Sequence, residues 1–404
     1  MAAVGQRQLS WMGLLIFLAI LAGCTIPPSN SSGAASPTAV PTACNRFSSL
    51  PPTHQNARHS PPVPDLPPAP ARQQIAFRHA VHTLFLDEIT APLAADLGFD
   101  TVVQVFPWRD LNPEPGFYNW NAADYMVQMT RQHNLDLVVR LDMPPKWAAL
   151  PVKGGIPFDV AAYVDFVSAV ASRYRSHILG YIIWNEPNLA AEWSRSGSED
   201  PDRWVAFEGW VADPADYTAV LGAAYQRIKT ADPETLVIGG GLAPTNENTS
   251  RAVDDRLFLE QMLAAGAAGC FDILAVHDYG YGLSPKVDRT AQDGLNLARV
   301  MDLRDILLAR NAARPIWITE LGYTIQPGDH PSISEDEQAL YLLGAFERTR
   351  QEWPWVEMLT VWNLAYGLPY HDGMSGFSLV EPDGTPRLAY EMLRLMEKGR
   401  LVIE

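Results

Sequence analysis

Ile178-Leu179-Gly180-Tyr181-Ile182-Ile183-Trp184-Asn185-Glu186-Pro187-Asn188 is the stretch whose reading decides the fold. It opens as a continuous apolar run, the pattern of a strand buried on both faces. Pro187 has no N–H to give a ladder and stops the strand. A carboxylate at the C-terminal end of a buried strand is costly unless it is paired or used. Glu186 is therefore expected at a strand tip, facing whatever lies above the sheet. A Glu that caps a helix or pairs with an Arg would also fit this stretch taken alone.

A second carboxylate stands in matching context at Arg314-Pro315-Ile316-Trp317-Ile318-Thr319-Glu320-Leu321-Gly322. Again an apolar, β-branched run ends in Glu, with Gly close behind. Two strand-tip glutamates suit glycoside hydrolysis. That chemistry needs one protonated carboxylic acid for the leaving oxygen and one ionised carboxylate to attack or to activate water.

Working outward, strand patterns recur at Phe77–Thr83, Thr101–Phe106, Asp136–Leu141, Ile178–Trp184, Leu236–Gly239, Ile273–His277, Pro315–Thr319 and Val356–Asn363. Helix-period segments lie between them, including Ala122–Gln132, Asp159–Ser176, Asp216–Thr230, Leu257–Ala265, Leu295–Arg310 and Glu335–Gln351. Ser334 and Glu337 form a capping box before the last of these. Gly98, Asn134 and Gly266 stand where helix stops are expected. Eight such units argue for an α/β fold, a (β/α)₈ TIM barrel. A doubly wound sheet would not explain why carboxylates and aromatics recur at strand C-termini. In a barrel those ends converge.

The chain has 404 residues. Residues 1–24 read as a targeting segment: Arg7, an apolar run over Trp11–Leu21, then Leu21-Ala22-Gly23-Cys24. That ending resembles the bacterial lipobox, which implies lipidation of Cys24 and an exported protein anchored to the cell membrane facing outward. Residues 25–70, crowded with Pro, Ser, Ala and Thr, read as a linker. Residues 71–404 form the expected catalytic domain, roughly 330 residues and usual for one barrel. The net charge of −16 argues against nucleic-acid binding. Of three Cys, Cys44 and Cys270 remain, and outside the cytoplasm a disulfide between them is permitted. No spacing suggests a metal site. Gly239-Gly240-Gly241 reads as a simple turn after a strand.

Here the resemblance becomes specific. Asn185-Glu186 after the fourth strand and Glu320 after the seventh resemble the clan A glycoside hydrolases, retaining (β/α)₈ enzymes. WNEPN with ITELGY looks most similar to glycoside hydrolase family 39 and to cellulase-like family 5 relatives, over residues 75–395. The resemblance implies Glu186 as acid/base, Glu320 as nucleophile, Asn185 on the sugar 2-hydroxyl, Tyr279 bonded to the nucleophile, His277 in the sugar pocket and Trp362 as its floor. It implies no cofactor and a carbohydrate substrate, with β-xylosides, β-glucosides or β-glucans expected. Asp142, Trp108 and Trp147 are expected to line the cleft. Arg140 is expected to pair with a buried carboxylate, and the loop from Asn112 to Trp120 to be structural. His79 and His82 share one strand, and which faces the site stays open. After the fourth strand, Trp193, Trp204, Phe207 and Trp210 read either as a leaving-group wall or as a self-packed lid. Retention would put the two carboxyl groups about 5–5.5 Å apart, inversion about 6.5–9.5 Å. Two alternatives stand beside hydrolysis: a sugar-binding lipoprotein without turnover, and a transglycosylase using the same site. A monomer is the expected state.

Overall fold

The computed structural model describes residues 43–50, 76–150, 155–194, 212–328, 330–366 and 374–399. The signal segment with Cys24, most of the linker, and Trp204, Phe207 and Trp210 lie outside the described residues. Eight strands pair in parallel in chain order and close into a barrel. They are β1 (Arg78–His82), β2 (Thr101–Val105), β3 (Asp136–Leu141), β4 (Gly180–Ile183), β5 (Leu236–Leu242), β6 (Ile273–His277), β7 (Ile316–Leu321) and β8 (Val356–Trp362). The helices are α1 (Thr90–Leu97), α2 (Trp108–Leu111), α3 (Asn121–Gln132), α4 (Val160–Arg173), α5 (Ala190–Trp193), α6 (Pro214–Ala231), α7 (Asp255–Ala264), α8 (Val300–Ala309), α9 (Glu335–Glu352) and α10 (Leu388–Glu397). None is long and apolar enough to cross a membrane.

The strands read as continuous apolar runs because both faces are buried. Ala80, Val103, Val138, Ile182, Ile238, Ala275, Trp317 and Met358, one from each strand, pack together inside the barrel. Their chain neighbours Val81, Val102, Val139, Ile183, Val237 and Leu359 pack outward against the helices. The period of 2 then decides what faces the cleft above this layer. His82 shares a face with Ala80, Arg140 with Val138, and Trp362 with Met358.

Two strands break that period. In β5 the register shifts between Gly240 and Leu242. The three glycines read as a turn lie inside this strand, and two hold left-handed backbone, with φ of 104° at Gly240 and 64° at Gly241. A Cβ on Gly240 would sit 2.5 Å from the Ala275 carbonyl. Periodicity ended the strand at Gly239 because glycines carry no side chain to show alternation. In β7 the register shifts after Ile318, so that Glu320 pairs with His277. Strict alternation from inward Trp317 would turn Glu320 outward. The shift rephases it toward the cleft.

The segment before the barrel docks along α6. Cys44 is disulfide-bonded to Cys270, their Cα atoms 6.0 Å apart. Cys270 precedes β6, at the end of the barrel opposite the strand tips. Arg46 pairs with Asp216 at 2.7 Å, and Arg227 donates to the Leu50 carbonyl. Gly222 of α6 makes this possible, since a Cβ there would lie 2.6 Å from the Cys44 Cα. Gly→Ala within a helix ordinarily stabilises by ~1 kcal/mol. Here the sign should invert, and Gly222→Ala should cost about 1–3 kcal/mol through overpacking. Thermal unfolding of the oxidised protein measures it; an unchanged or higher Tm would mean that the docked segment moves aside freely.

Candidate active site

Every strand sends residues to one cavity of ≈ 1070 Å³ at the C-terminal ends of the strands. Its lining includes His82 of β1, Val105 of β2, Arg140 of β3, Asn185 and Glu186 after β4, Ala243 after β5, Tyr279 after β6, Glu320 of β7 and Trp362 of β8. Glu186 is placed by strained backbone. Trp184 and Glu186 both hold left-handed φ, 71° and 40°. Such a conformation costs a non-glycine residue of order 1–3 kcal/mol and persists only where its surroundings impose it. Trp184 is turned into the outer layer, stacked 4.6 Å from Phe158. The Glu186 N–H donates to the Gly241 carbonyl at 3.0 Å. The β5 irregularity thus ties down the residue carrying the first carboxylate.

The two glutamates meet across the cleft. One oxygen of each, with a His277 nitrogen, lie within 4.8 Å of one another. His277 Nδ1 and Glu186 Oε1 are 2.8 Å apart, within hydrogen-bond distance. Glu320 Oε2 accepts from the Tyr279 hydroxyl at 2.7 Å. Glu320 Oε1 accepts from Arg140 Nη1 at 2.9 Å, and the same nitrogen donates to Asn185 Oδ1 at 2.7 Å. Behind the cleft, Arg140 Nε lies 3.0 Å from Asp142 Oδ2. Glu186, His277 and Glu320 are also the one cluster among the described residues whose donor atoms could grip a metal ion.

Burial by itself pushes the Glu320 carboxyl up. The charge of His277, then of Arg140, and the Tyr279 hydrogen bond outweigh it and hold Glu320 below the usual carboxylate range. Burial would lower His277, but Glu320 and then Glu186 raise it above the ordinary imidazole value. Tyr279, buried and beside Glu320, is pushed well above the usual phenol value and so keeps its proton as donor. His82, with both ring nitrogens buried and unpartnered among the described residues, is held down to about 4, chiefly by burial.

Several expected cleft residues stand elsewhere. Trp108 is fully buried, stacked 5.6 Å from Phe166, with Nε1 donating to Asn112. Trp147 packs edge-on against it and donates to the Asn112 carbonyl. Trp193 is fully buried beside Trp184. None of the three lines the cavity, and neither does Asp142, which backs Arg140. Loop tryptophans read as sugar platforms were instead used to pack the helix layer, where a large ring buries the most area. Trp193, close after β4, packs against Phe158, Trp184 and Tyr217. The loop over residues 112–120 is structural: Asn112 Nδ2 donates to the Glu114 and Phe117 carbonyls, and Tyr118 stacks on Trp120. Arg140 pairs with a buried carboxylate as expected, and that carboxylate is Glu320 itself. His79 faces outward, packed among Phe77, Phe99 and Phe346. Sequence reasoning did not find His330, which stacks between Tyr279 and Phe377 on the cavity wall. Its loop carries no strand or helix period.

No protein-family model matches the sequence, and no curated protein does. Similar solved structures include a family 39 glycoside hydrolase from the gut symbiont Bacteroides cellulosilyticus WH2, with TM-score 0.60 at 18% identity over 79% of this chain and 63% of that one. A family 39 β-xylosidase from Caulobacter crescentus gives 0.57 at 17%, over 80% and 71%. Xylanase 10B from Thermotoga petrophila RKU-1 gives 0.55 at 14%, over 80% and 95%. The chain thus spans less than two thirds of the first of these. At such identity the shared feature is the barrel.

The Glu320 environment makes a prediction about its ionisation. Tyr279→Phe removes a donor to the charged form, so the Glu320 pKa should rise and its titration move to higher pH. Carboxyl ¹³C NMR of the two proteins measures this. An unmoved midpoint would assign the hold on Glu320 to Arg140 and His277 alone. A depressed carboxylate pKa stabilises the fold above the unfolded value and that contribution is lost as pH falls through the folded pKa, so in the variant the contribution of Glu320 should be smaller and its loss complete at a higher pH.

Proposed function

We propose that this protein is a retaining glycoside hydrolase acting on β-linked sugars. The observation that carries the reading is the pair Glu186 and Glu320, with oxygens within 4.8 Å. So close an approach of single oxygens supports a retaining pair, whose carboxyl groups stand ~5–5.5 Å apart, over an inverting one at ~6.5–9.5 Å. Glu320, ionised and held by Arg140 and Tyr279, attacks the anomeric carbon. The glycosidic C–O bond breaks as Glu186 gives its proton to the leaving oxygen. Glu186, now a carboxylate, takes a proton from water, which displaces Glu320 from the glycosyl-enzyme. Both displacements invert, so configuration is retained overall. Asn185, held by Arg140, takes the 2-hydroxyl, and Trp362 floors the reacting sugar. The likeness to family 39 enzymes and to a xylanase supports the substrate class.

We place the protein outside the cytoplasm, tethered through Cys24. The Cys44–Cys270 disulfide supports an oxidising compartment.

Turnover is tested on aryl β-glycosides. Glu320→Gln should abolish it. Glu186→Ala should lose about 10²–10⁴-fold on substrates with poor leaving groups, far less on activated ones, with azide restoring rate. NMR of the first-formed sugar should show the starting anomeric configuration. Equal loss across leaving groups would remove Glu186 from the acid role, and an inverted product would sink the double displacement.

A further inference from the structure

The cavity is larger than one sugar needs. Its ≈ 1070 Å³ exceeds the upper end, about 1,000 Å³, of ordinary small-molecule pockets. The direction in which it extends follows from the closed barrel. On the reading of Glu186 as proton donor, the leaving group lies on the β4 side. The reacting sugar rests on Trp362 of β8, beside Glu320 of β7. The next strand round the barrel from β8 is β1, where His82 is the register partner of Trp362. A sugar chain continuing past the reacting ring, away from Glu186, therefore meets the loop after β1.

That loop carries Phe85, which lines the same cavity and is 43% exposed. Its ring lies nearly parallel to Tyr125 of α3, at 12° and 6.1 Å between centroids. The mount is braced. The Asp87 carboxylate accepts from the Ile89 and Thr90 N–H groups at 3.0 and 2.8 Å, and the Thr90 hydroxyl donates to the Phe85 carbonyl at 3.0 Å. Tyr125 donates to Glu88 of the same loop. An exposed aromatic held in place on a hydrogen-bonded turn has no ordering cost left to meet when a ligand arrives. Its flat apolar face matches the axial C–H face of a pyranose.

We propose that Phe85, backed by Tyr125, is a second glycone subsite, and that the substrate is a β-linked oligosaccharide or polysaccharide running beyond the sugar at the cleavage point. The protein then cuts within chains and does not trim single terminal sugars. This rests on the reading of the site given above.

The test is calorimetric titration of the full chain carrying Glu320→Gln with β-linked gluco- and xylo-oligosaccharides of one to four sugars. Affinity should rise with length. Adding Phe85→Ala should remove about tenfold of that rise, the worth of one aromatic contact, and Phe85→Trp should keep it. Thermal unfolding of both variants checks that this exposed position leaves the fold intact. Length-independent binding, or an equal loss at every length, overturns the subsite. Parallel turnover assays of the wild type separate the two readings. No hydrolysis with length-dependent binding sinks the hydrolase and keeps the subsite, whereas hydrolysis with flat binding sinks the subsite alone.

Discussion

The arrangement depends on a carboxylate buried where burial alone would protonate it. Glu320 is 7% exposed, and its charge is kept by three groups, Arg140 of β3, His277 at the end of β6 and Tyr279 just after it. An ionised group in a low-dielectric interior survives only when its partners are already in place. Arg140 is itself buried and balanced by Asp142 from behind. The consequence is a chain of mutual support, in which the same guanidinium nitrogen that holds Glu320 also orients Asn185. Orientation of Asn185 and charge on Glu320 thus rest on one guanidinium.

The second constraint is geometric. A regular strand can offer the cleft only alternate residues. The β7 register shift brings Glu320 opposite His277, and the β5 irregularity presents the Gly241 carbonyl to the Glu186 N–H. Left-handed Trp184 and Glu186 complete the placement by sending an indole outward and a carboxylate inward. Departures from regular structure concentrate around the two glutamates, where the chemistry asks for side chains that a plain barrel would not aim correctly.

At the other end of the barrel the demands are only those of stability. Arg78 bonds Asp136 at 2.7 Å and Thr101 at 3.1 Å, closing the floor between β1, β2 and β3. The Cys44–Cys270 disulfide clasps the preceding segment onto α6. The candidate site and the disulfide therefore lie toward opposite ends of the barrel, with stability features away from the strand tips as expected of this architecture.

Much of this was legible beforehand. Eight apolar runs of strand length, separated by helix-period segments, determine a barrel, because burial on both faces and 3.6-residue amphipathy leave their marks on residue order. Glu186 and Glu320 were legible because a carboxylate closing an apolar run breaks the pattern. Helix α10 was not marked out in advance and α1 only through its stop at Gly98, and Leu295–Arg310 proved to be a short 3₁₀ turn followed by α8. The roles of the tryptophans were not legible. Nothing in order alone separates Trp362 at the cleft from Trp108 or Trp193 in the helix layer, since each lies near a strand's C-terminal end and all are equally apolar. The facing of His82 over His79 needed only the parity set by Ala80 inside the barrel, which closure reveals. The partner of Arg140 and the glycines that extend β5 depended on register shifts, and those arise from contacts between strands far apart in the chain. The sequence by itself determined the barrel and its two exceptional carboxylates. Which side chains surround them was decided only by tertiary structure, because facing is set by register across neighbouring strands and one displaced residue reverses it.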